Sequence, residues 1–281
     1  MDIGYRICRG LAGLFALPVH PFNLSNDGVM SYAQWQYERG ADTLQFFVPF
    51  SPPDEILRTK VVLDIGCGAA GKTLYYASLG AKKVYGLEVL EKYRTQAEDM
   101  ARGLGLDGVF EYVCGDAARM PFPDDSIDTI IMNDAMEHVP EPEAVLRECL
   151  RVVRPGQRIF INFPPYYHPY GAHLSDAIGM PWIHAFFSEA TLARIYRDAV
   201  RGLPDAEERI AFRLSQDANG RDTLSYINRM TISRFRDILK TLGITPVYYK
   251  EVPLRPALAP IARMPMLKEG LVKMVVCIIE A

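Results

Sequence analysis

Thirteen consecutive residues constrain this chain more than any others: Val61-Val62-Leu63-Asp64-Ile65-Gly66-Cys67-Gly68-Ala69-Ala70-Gly71-Lys72-Thr73. An apolar run leads into an acid, then into glycines two and three apart, then into a helical pattern. Glycine at a strand end allows a sharp turn with positive φ and lets a ligand approach the main chain. The Gly66, Gly68, Gly71 spacing fits a dinucleotide-binding fingerprint, which carries meaning only where a strand precedes it and a helix succeeds it. The stretch from Gly66 to Thr73 also fits the phosphate-loop pattern G-x-x-x-x-G-K-[ST]. A ribose-binding turn, a triphosphate cradle and a ligand-free glycine turn therefore all stay open at this loop.

Beyond Thr73 the chain alternates between helix and strand periods. The pattern predicts strands near 61–65, 83–88, 109–113, 127–133 and 157–163, with helices near 72–80, 91–104 and 141–152. Such alternation implies a parallel sheet with helices on both faces, and ligands of these sheets sit at the carboxyl ends of the strands. Each strand end is therefore a candidate site. The second ends in Glu88, about twenty positions after the glycine loop, where a nucleoside-binding sheet places the acid for its ribose hydroxyls. The third runs into Gly115-Asp116-Ala117. An aspartate in such a turn ordinarily bonds its own backbone, and beside a nucleoside it can instead accept from an adenine amino group. The fourth ends at Asn133-Asp134, the second of which has the look of a magnesium-binding acid of a phosphate-loop enzyme.

Taken in order, these pieces resemble the class I S-adenosylmethionine-dependent methyltransferases, and more closely their small-molecule subgroup. The resemblance rests on Val61 to Gly71, Gly86-Leu87-Glu88, Cys114-Gly115-Asp116-Ala117, Phe122-Pro123-Asp124-Asp125-Ser126-Ile127-Asp128, Ala135-Met136-Glu137-His138-Val139 and Leu150-Arg151-Val152-Val153-Arg154-Pro155-Gly156. It covers residues 60–163 and implies S-adenosylmethionine as cofactor. Carried over residue by residue, it places Asp64, Gly66, Cys67 and Gly68 on the methionine part, with peptide N–H groups around Gly66 in the grip. It places Glu88 on the ribose, Asp116 with Ala117 on the adenine, and the Asn133 backbone on the cofactor amino group. Two departures stand out: Ala70 occupies a position where the family often has glycine, and the usual Pro-Gly-Gly turn reads Pro155-Gly156-Gln157. No phosphate-loop family explains Asp64, Glu88 and Asp116 together, so a nucleoside triphosphatase is the remote alternative.

Around that core the implied fold is a Rossmann-like, doubly wound seven-stranded α/β sheet with a final antiparallel strand. Residues 1–58 form a helical preface, 59–163 the cofactor-binding core, 164–230 a cap inserted after the fifth strand, and 231–281 the return to the core. In the preface, Ser31 is a candidate N-cap, Tyr32 and Trp35 read as a core-facing stripe, and Pro49, Pro52 and Pro53 mark a linker. The apolar run from Ile7 to Leu17 is short for a secretion signal and reads as a helix packed on the domain. After the cap's helices near 188–201 and 204–213, a helix at 231–242 and strands near 246–252 and 271–280 are expected.

The cap segment is dense in aromatic, proline and histidine residues. Tyr166, Tyr167, Tyr170, Trp182 and His184 are the candidate substrate contacts. His168 and His173, with His138 just after the fourth strand, are the candidate bases, since positioned histidines are common proton acceptors. In the resembling family the histidine of the Glu137-His138 pair is structural, and cap histidines packed among tyrosines are an equally plain reading. The histidines lack metal-ligand spacing, so no metal is expected. Asn162-Phe163-Pro164-Pro165 is similar to the Asn-Pro-Pro-aromatic signature of amino-group methyltransferases, but that signature comes after the fourth strand and this one after the fifth.

A net charge of −3 argues against a nucleic-acid surface. Five scattered cysteines point to a reducing compartment, and no apolar run reaches spanning length. The expected protein is a cytoplasmic methyltransferase acting on a small molecule, with a hydroxyl of a sugar or secondary metabolite as acceptor. Nitrogen and carbon acceptors, and a cofactor-binding protein without catalysis, are the alternatives.

Overall fold

The computed structural model describes residues 3–281 and contains a sheet of seven strands. Five are parallel: β1 (Val61–Ile65), β2 (Lys83–Glu88), β3 (Phe110–Cys114), β4 (Ile127–Asn133) and β5 (Val153–Phe163). A short antiparallel pair, β6 (Leu214–Gln216) and β7 (Asp222–Leu224), lies apart from them. β8 (Tyr248–Pro253) and β9 (Val272–Glu280) complete the sheet in the order β3-β2-β1-β4-β5-β9-β8, with β9 antiparallel to β5. The strand order reverses between β1 and β4, which is where an open α/β sheet forms a crevice at its carboxyl edge. The longer helices are α1 (Ile3–Ala12), α2 (Tyr32–Glu38), α3 (Gly71–Ser78), α4 (Arg94–Gly103), α5 (Pro142–Val152), α6 (Glu189–Val200), α7 (Ala206–Arg213) and α8 (Ile232–Thr241).

The chain divides into two compact units. The first comprises residues 31–163, 232–252 and 274–281 and holds the sheet. The central strands β1 and β4 are buried almost throughout, as their mostly apolar sequences require of a parallel sheet with helices above and below. One cluster joins Val62, Tyr76, Val84, Ile131, Phe160 and Ile278. Another joins Cys67, Leu74, Ala97, Ala101, Phe110 and Tyr112. The Pro155-Gly156 turn is a bulge within β5: the register with β4 jumps from Ile127↔Val153 to Thr129↔Arg158, and Gly156 takes φ +73°.

Two expectations change in this unit. Ser31 does cap α2, its hydroxyl accepting from the Gln34 N–H at 3.1 Å, but the helix buries Ala33 and Gln36 and leaves Tyr32 and Trp35 half-buried. The reason is Gly71: α2 crosses its Cα so closely that only small or flexible side chains fit the inner face. The proline-rich linker also holds structure. Pro53 starts a short helix, Pro53–Leu57, whose Ile56 and Leu57 are buried, because a proline's missing N–H is no loss in a first turn.

The second unit comprises the N-terminal segment to Met30, residues 164–231 and 253–273. Its core gathers Tyr5 and Cys8 of α1 with Leu192, Ala193 and Tyr196 of α6 and with Ile178, Leu214 and Leu224. Within it Asp176, 1% exposed, accepts from the Tyr196 hydroxyl at 2.7 Å and from Arg209 Nη1 at 3.2 Å, and its other oxygen lies 3.2 Å from Arg213 Nη2. Asp205 takes Arg209 Nε at 2.8 Å, so two buried guanidinium groups face two carboxylates. The β6–β7 hairpin was not foreseen, since strands of three residues are too short to show a period.

Candidate functional site

Asp64 occupies the fourth position of β1 and is buried. Thr73 Oγ1, from the first turn of α3, donates to its Oδ2 at 2.6 Å. Burial pushes the Asp64 carboxyl up to about 7, although the Thr73 hydrogen bond and the Lys72 charge both act to lower it. Next along the chain, Gly66 and Gly68 take positive φ, +75° and +55°, which turns the backbone sharply off the strand end. Ala70 takes φ +62° without being glycine, a conformation costing an L-residue ~1–2 kcal/mol.

Gly71 cannot exchange roles with it. A Cβ on Gly71 would collide with the Ala33 carbonyl oxygen and lie 2.6 Å from Gln36 Cβ and 2.7 Å from the Tyr37 nitrogen. The glycine that the resembling family uses for the turn is here displaced by one residue to let α2 through. Gln36 exploits the approach. Its Oε1 accepts from the Gly71 N–H at 3.2 Å, so it satisfies an open donor at the start of α3, and its Nε2 donates to the Cys67 carbonyl at 3.5 Å. Tyr32 stands over the loop, its ring edge and hydroxyl 3.4–3.5 Å from where a Gly68 Cβ would lie.

The loop amides are the main correction to the sequence-based picture. Gly66 and Cys67 N–H donate to the Leu87 carbonyl at 2.8 and 3.3 Å, Gly68 N–H to Glu88 Oε2 at 3.0 Å, and Ala70 N–H to the Cys67 carbonyl at 2.9 Å. These donors are spent inside the protein and do not form a cradle of N–H groups around Gly66. Lys72 and Thr73 are engaged as well: Lys72 Nζ donates to Asn133 Oδ1 and lies 3.3 Å from Asp134 Oδ2, while Thr73 holds Asp64. A phosphate loop needs its amides, its lysine and its hydroxyl turned to the ligand. This loop turns them inward.

Glu88 closes β2 with both oxygens oriented, Oε2 by Gly68 N–H and Oε1 by Leu90 N–H at 3.1 Å. Desolvation raises its pKa, and those same hydrogen bonds act to lower it. The Val89 amide also donates to it, and a carboxylate with about four acceptor sites then keeps capacity for a ribose hydroxyl. Asp116 is exposed beyond β3, and its Oδ1 accepts from the Ala118 N–H at 2.9 Å, a turn bond that leaves Oδ2 for another donor. Asn133 ends β4 with its side-chain oxygen shared between Lys72 Nζ and the Thr43 hydroxyl, the latter at 2.9 Å. His138 Nε2 lies 3.8 Å from Glu137 Oε1. Glu137 is buried, and desolvation with the nearby Asp134 charge raises its carboxyl pKa well above the usual range.

The structure thus brings Asp64, Gly66, Cys67, Gly68, Glu88 and Asn133 to one edge of the sheet, with Asp116 and Ala117 on the loop after β3. Gln36, Tyr32, Thr43 and Lys72 join them. Sequence reasoning had no signal for Thr43 or Gln36, and it met Lys72 only through a phosphate-loop pattern that does not apply. The donor and acceptor set suits a nucleoside bearing a cationic amino-acid arm: an oriented carboxylate for hydroxyls, a second buried carboxyl, and glycine surface for close approach.

The cap candidates belong to the second unit. Tyr166, Tyr167 and His184 form a ring cluster, with centroids 4.9 Å apart for Tyr166–His184 and 6.3 Å for the stacked Tyr167–His184. His184 is buried there, and desolvation lowers its pKa. Trp182 Nε1 donates to the Gly270 carbonyl at 3.2 Å. His168 Nδ1 accepts from the Tyr170 N–H at 3.3 Å, which puts the ring proton of the neutral imidazole on Nε2. His173 takes φ +53° and packs its ring edge-on against Tyr226 at 6.1 Å.

Comparisons with known proteins agree with this geometry. Residues 63–161 match the family described as "Methyltransferase domain". The chain is 33% identical over 126 residues to 27-O-demethylrifamycin SV methyltransferase of Amycolatopsis mediterranei, covering 44% of this chain and 43% of that protein. It is 30% identical over 110 residues to ajmaline N-methyltransferase of Rauvolfia serpentina, covering 39% and 38%. The matched part therefore spans less than half the length of these relatives. The fold is similar to that of an S-adenosylmethionine-dependent methyltransferase from Mesorhizobium loti, with a TM-score of 0.51, 16% identity and coverage of 91% of this chain and 100% of that one.

Proposed function

We propose that residues 63–161, which match the family described as "Methyltransferase domain", form a class I S-adenosylmethionine-dependent methyltransferase domain, and that the protein methylates a small organic molecule, most simply at a hydroxyl of a sugar or secondary metabolite. The observation that carries the proposal is the pre-oriented Glu88 carboxylate facing the Gly66–Gly68 turn at the switch point of the sheet. Glu88 takes the ribose hydroxyls, Asp116 with Ala117 the adenine, and Asp64 with the carbonyl and Cα surface of Gly66, Cys67 and Gly68 the methionine arm. The Asn133 main chain takes the amino group, while its side chain is held away by Thr43 and Lys72.

When bound, the cofactor supplies a methyl group made electrophilic by a cationic sulfur. The protein's own residues then hold the acceptor in line and keep water out, an alignment worth as much as ~7–11 kcal/mol in favourable cases. A hydroxyl acceptor also gains from a base, typically ~10²–10⁴-fold. His168, His173 and His138 are the proposed bases, and Tyr166, Tyr167, Tyr170, Trp182 and His184 the proposed walls for an aromatic or sugar face. The two relatives named above carry O- and N-methyltransferase names, so a nitrogen acceptor is the principal second reading, with carbon behind it. The proposed setting is the cytoplasm.

Incubation with methyl-labelled S-adenosylmethionine and a panel of hydroxyl and amine acceptors, with product mass spectrometry, tests the proposal. Transfer to a hydroxyl supports it, transfer to nitrogen moves it to the second reading, and tight cofactor binding without transfer to any acceptor reduces it to a binding protein. His173→Ala is expected to lower turnover while leaving cofactor affinity unchanged.

A further inference from the structure

The second unit displays apolar surface that its own fold leaves uncovered. On α1, Tyr5 and Cys8 turn inward, and Tyr5 donates its hydroxyl to Asp198 of α6. Ile3, Ile7, Gly10 and Leu14, spaced four, three and four, make a second stripe pointing away from that core. Ile7 is 52% and Leu14 76% exposed, and Phe15, Leu17 and Val19 continue the exposed run. Elsewhere in the same unit, the short helices spanning 256–271 expose Ile261, Met264 and Leu267, and Met266 is 94% exposed. Single exposed apolar residues are ordinary, but their concentration in two short segments marks an interaction surface.

Charge identifies the kind of partner. Across the whole chain acids outnumber bases, 34 to 31, yet residues 3–26 contain no aspartate or glutamate and carry Arg6 and Arg9. Residues 252–268 are likewise free of acids and carry Arg255, Arg263 and Lys268. Arg6 and Arg9, both exposed, line a shallow hollow of about 530 Å³ with Tyr5, Gly10, Gly13 and Leu14. Long apolar side chains flanked mainly by cations, with Glu269 the one acid within 256–271, suit a layer of hydrocarbon below a layer of phosphate, with the guanidinium groups at headgroup depth. No described helix is long and apolar enough to cross a membrane, so the contact is with the surface of the bilayer.

We infer that the second unit docks peripherally on an anionic lipid surface through the outer stripe of α1 and the apolar turns of 256–271. None of the exposed residues named here belongs to the proposed cofactor or acceptor sites, and the inference does not rest on the methyl-transfer reading, although the 256–271 segment abuts Trp182 through the Gly270 carbonyl.

Sedimentation of the whole chain with vesicles of phosphatidylcholine, alone or with about one-third phosphatidylglycerol, provides the test. Binding to the anionic vesicles is expected to be at least about tenfold tighter than to the neutral ones and to weaken in high salt. Leu14→Glu and Met266→Glu, with unchanged circular dichroism, are each expected to weaken it about tenfold, and Arg6→Ala with Arg9→Ala to reduce the preference for anionic lipid. Equal binding to both vesicle types, no binding by the folded chain, or variants that bind like the parent would overturn the inference. So would a dimer, seen by analytical ultracentrifugation, that Leu14→Glu dissociates and that does not bind vesicles, because a second copy would then be the natural cover.

Discussion

The Gly68 amide donates to Glu88 Oε2 at 3.0 Å, so the turn after β1 is tied to the end of β2 by the protein itself. With Leu90 N–H on its other oxygen, the carboxylate is aimed before any ligand arrives, which lowers the ordering cost of binding. Glu88→Ala is expected to weaken S-adenosylmethionine binding by ~1.5–3 kcal/mol, about ten- to a hundredfold in Kd, since bonds to a charged group are lost. Titration calorimetry reads this directly, and an unchanged Kd would mean that the ribose is held elsewhere.

Asp64 makes both stability and affinity depend on pH. Its folded pKa of about 7 lies above the ordinary carboxyl value near 4, so between those limits the folded chain keeps a proton that the unfolded chain releases. The Asp64 contribution to stability is therefore fully present at about pH 4, falls as pH rises to about 7 and is level beyond, by a few kcal/mol at most. Binding a cationic amino-acid arm requires the charged form, so cofactor affinity should rise between about pH 6 and 8. Asp64→Asn should flatten both profiles. Urea melts and calorimetry across that range check the two slopes.

The displaced glycine predicts an asymmetry between neighbours. Gly71→Ala should destabilise the first unit by ~2 kcal/mol or more, because the new methyl meets α2 backbone that cannot yield cheaply. Ala70→Gly should be nearly neutral: relief of ~1 kcal/mol of left-handed strain is offset by the greater freedom of glycine in the unfolded chain. Thermal melts of the two variants, side by side, would expose a wrong assignment if their order were reversed.

Asp176 has no substitute in the second unit. Asp176→Ala leaves the buried Arg213 without its carboxylate and Arg209 with Asp205 alone, and should cost ~3–5 kcal/mol. Tyr196→Phe, which removes one hydroxyl from the same network, should cost only ~0.5–1.5 kcal/mol. Denaturant unfolding of both variants measures the difference, and equal costs would show that the charges are not coupled as described.

The sheet was legible in the chain from the outset. Short, mostly apolar stretches that end at or beside Asp64, Glu88 and Asn133 specify central strands, because a parallel sheet between helices hides such stretches. The distance from Gly68 to Glu88 specifies which strand end faces which, since the helix between them has a fixed length per residue. These are local regularities, and local regularities are what periodicity records. Where the loop amides go was decided by the fold. Gly66, Cys67 and Gly68 can equally point at a ligand or at β2, and only the Leu87 and Glu88 acceptors delivered by the parallel pairing settle it. Gln36 reaching Gly71, and Thr43 and Lys72 meeting on Asn133, join residues 35, 90 and 61 positions apart. No pattern along the chain records such meetings, because a hydrogen bond depends on separation in space, and packing alone sets that separation.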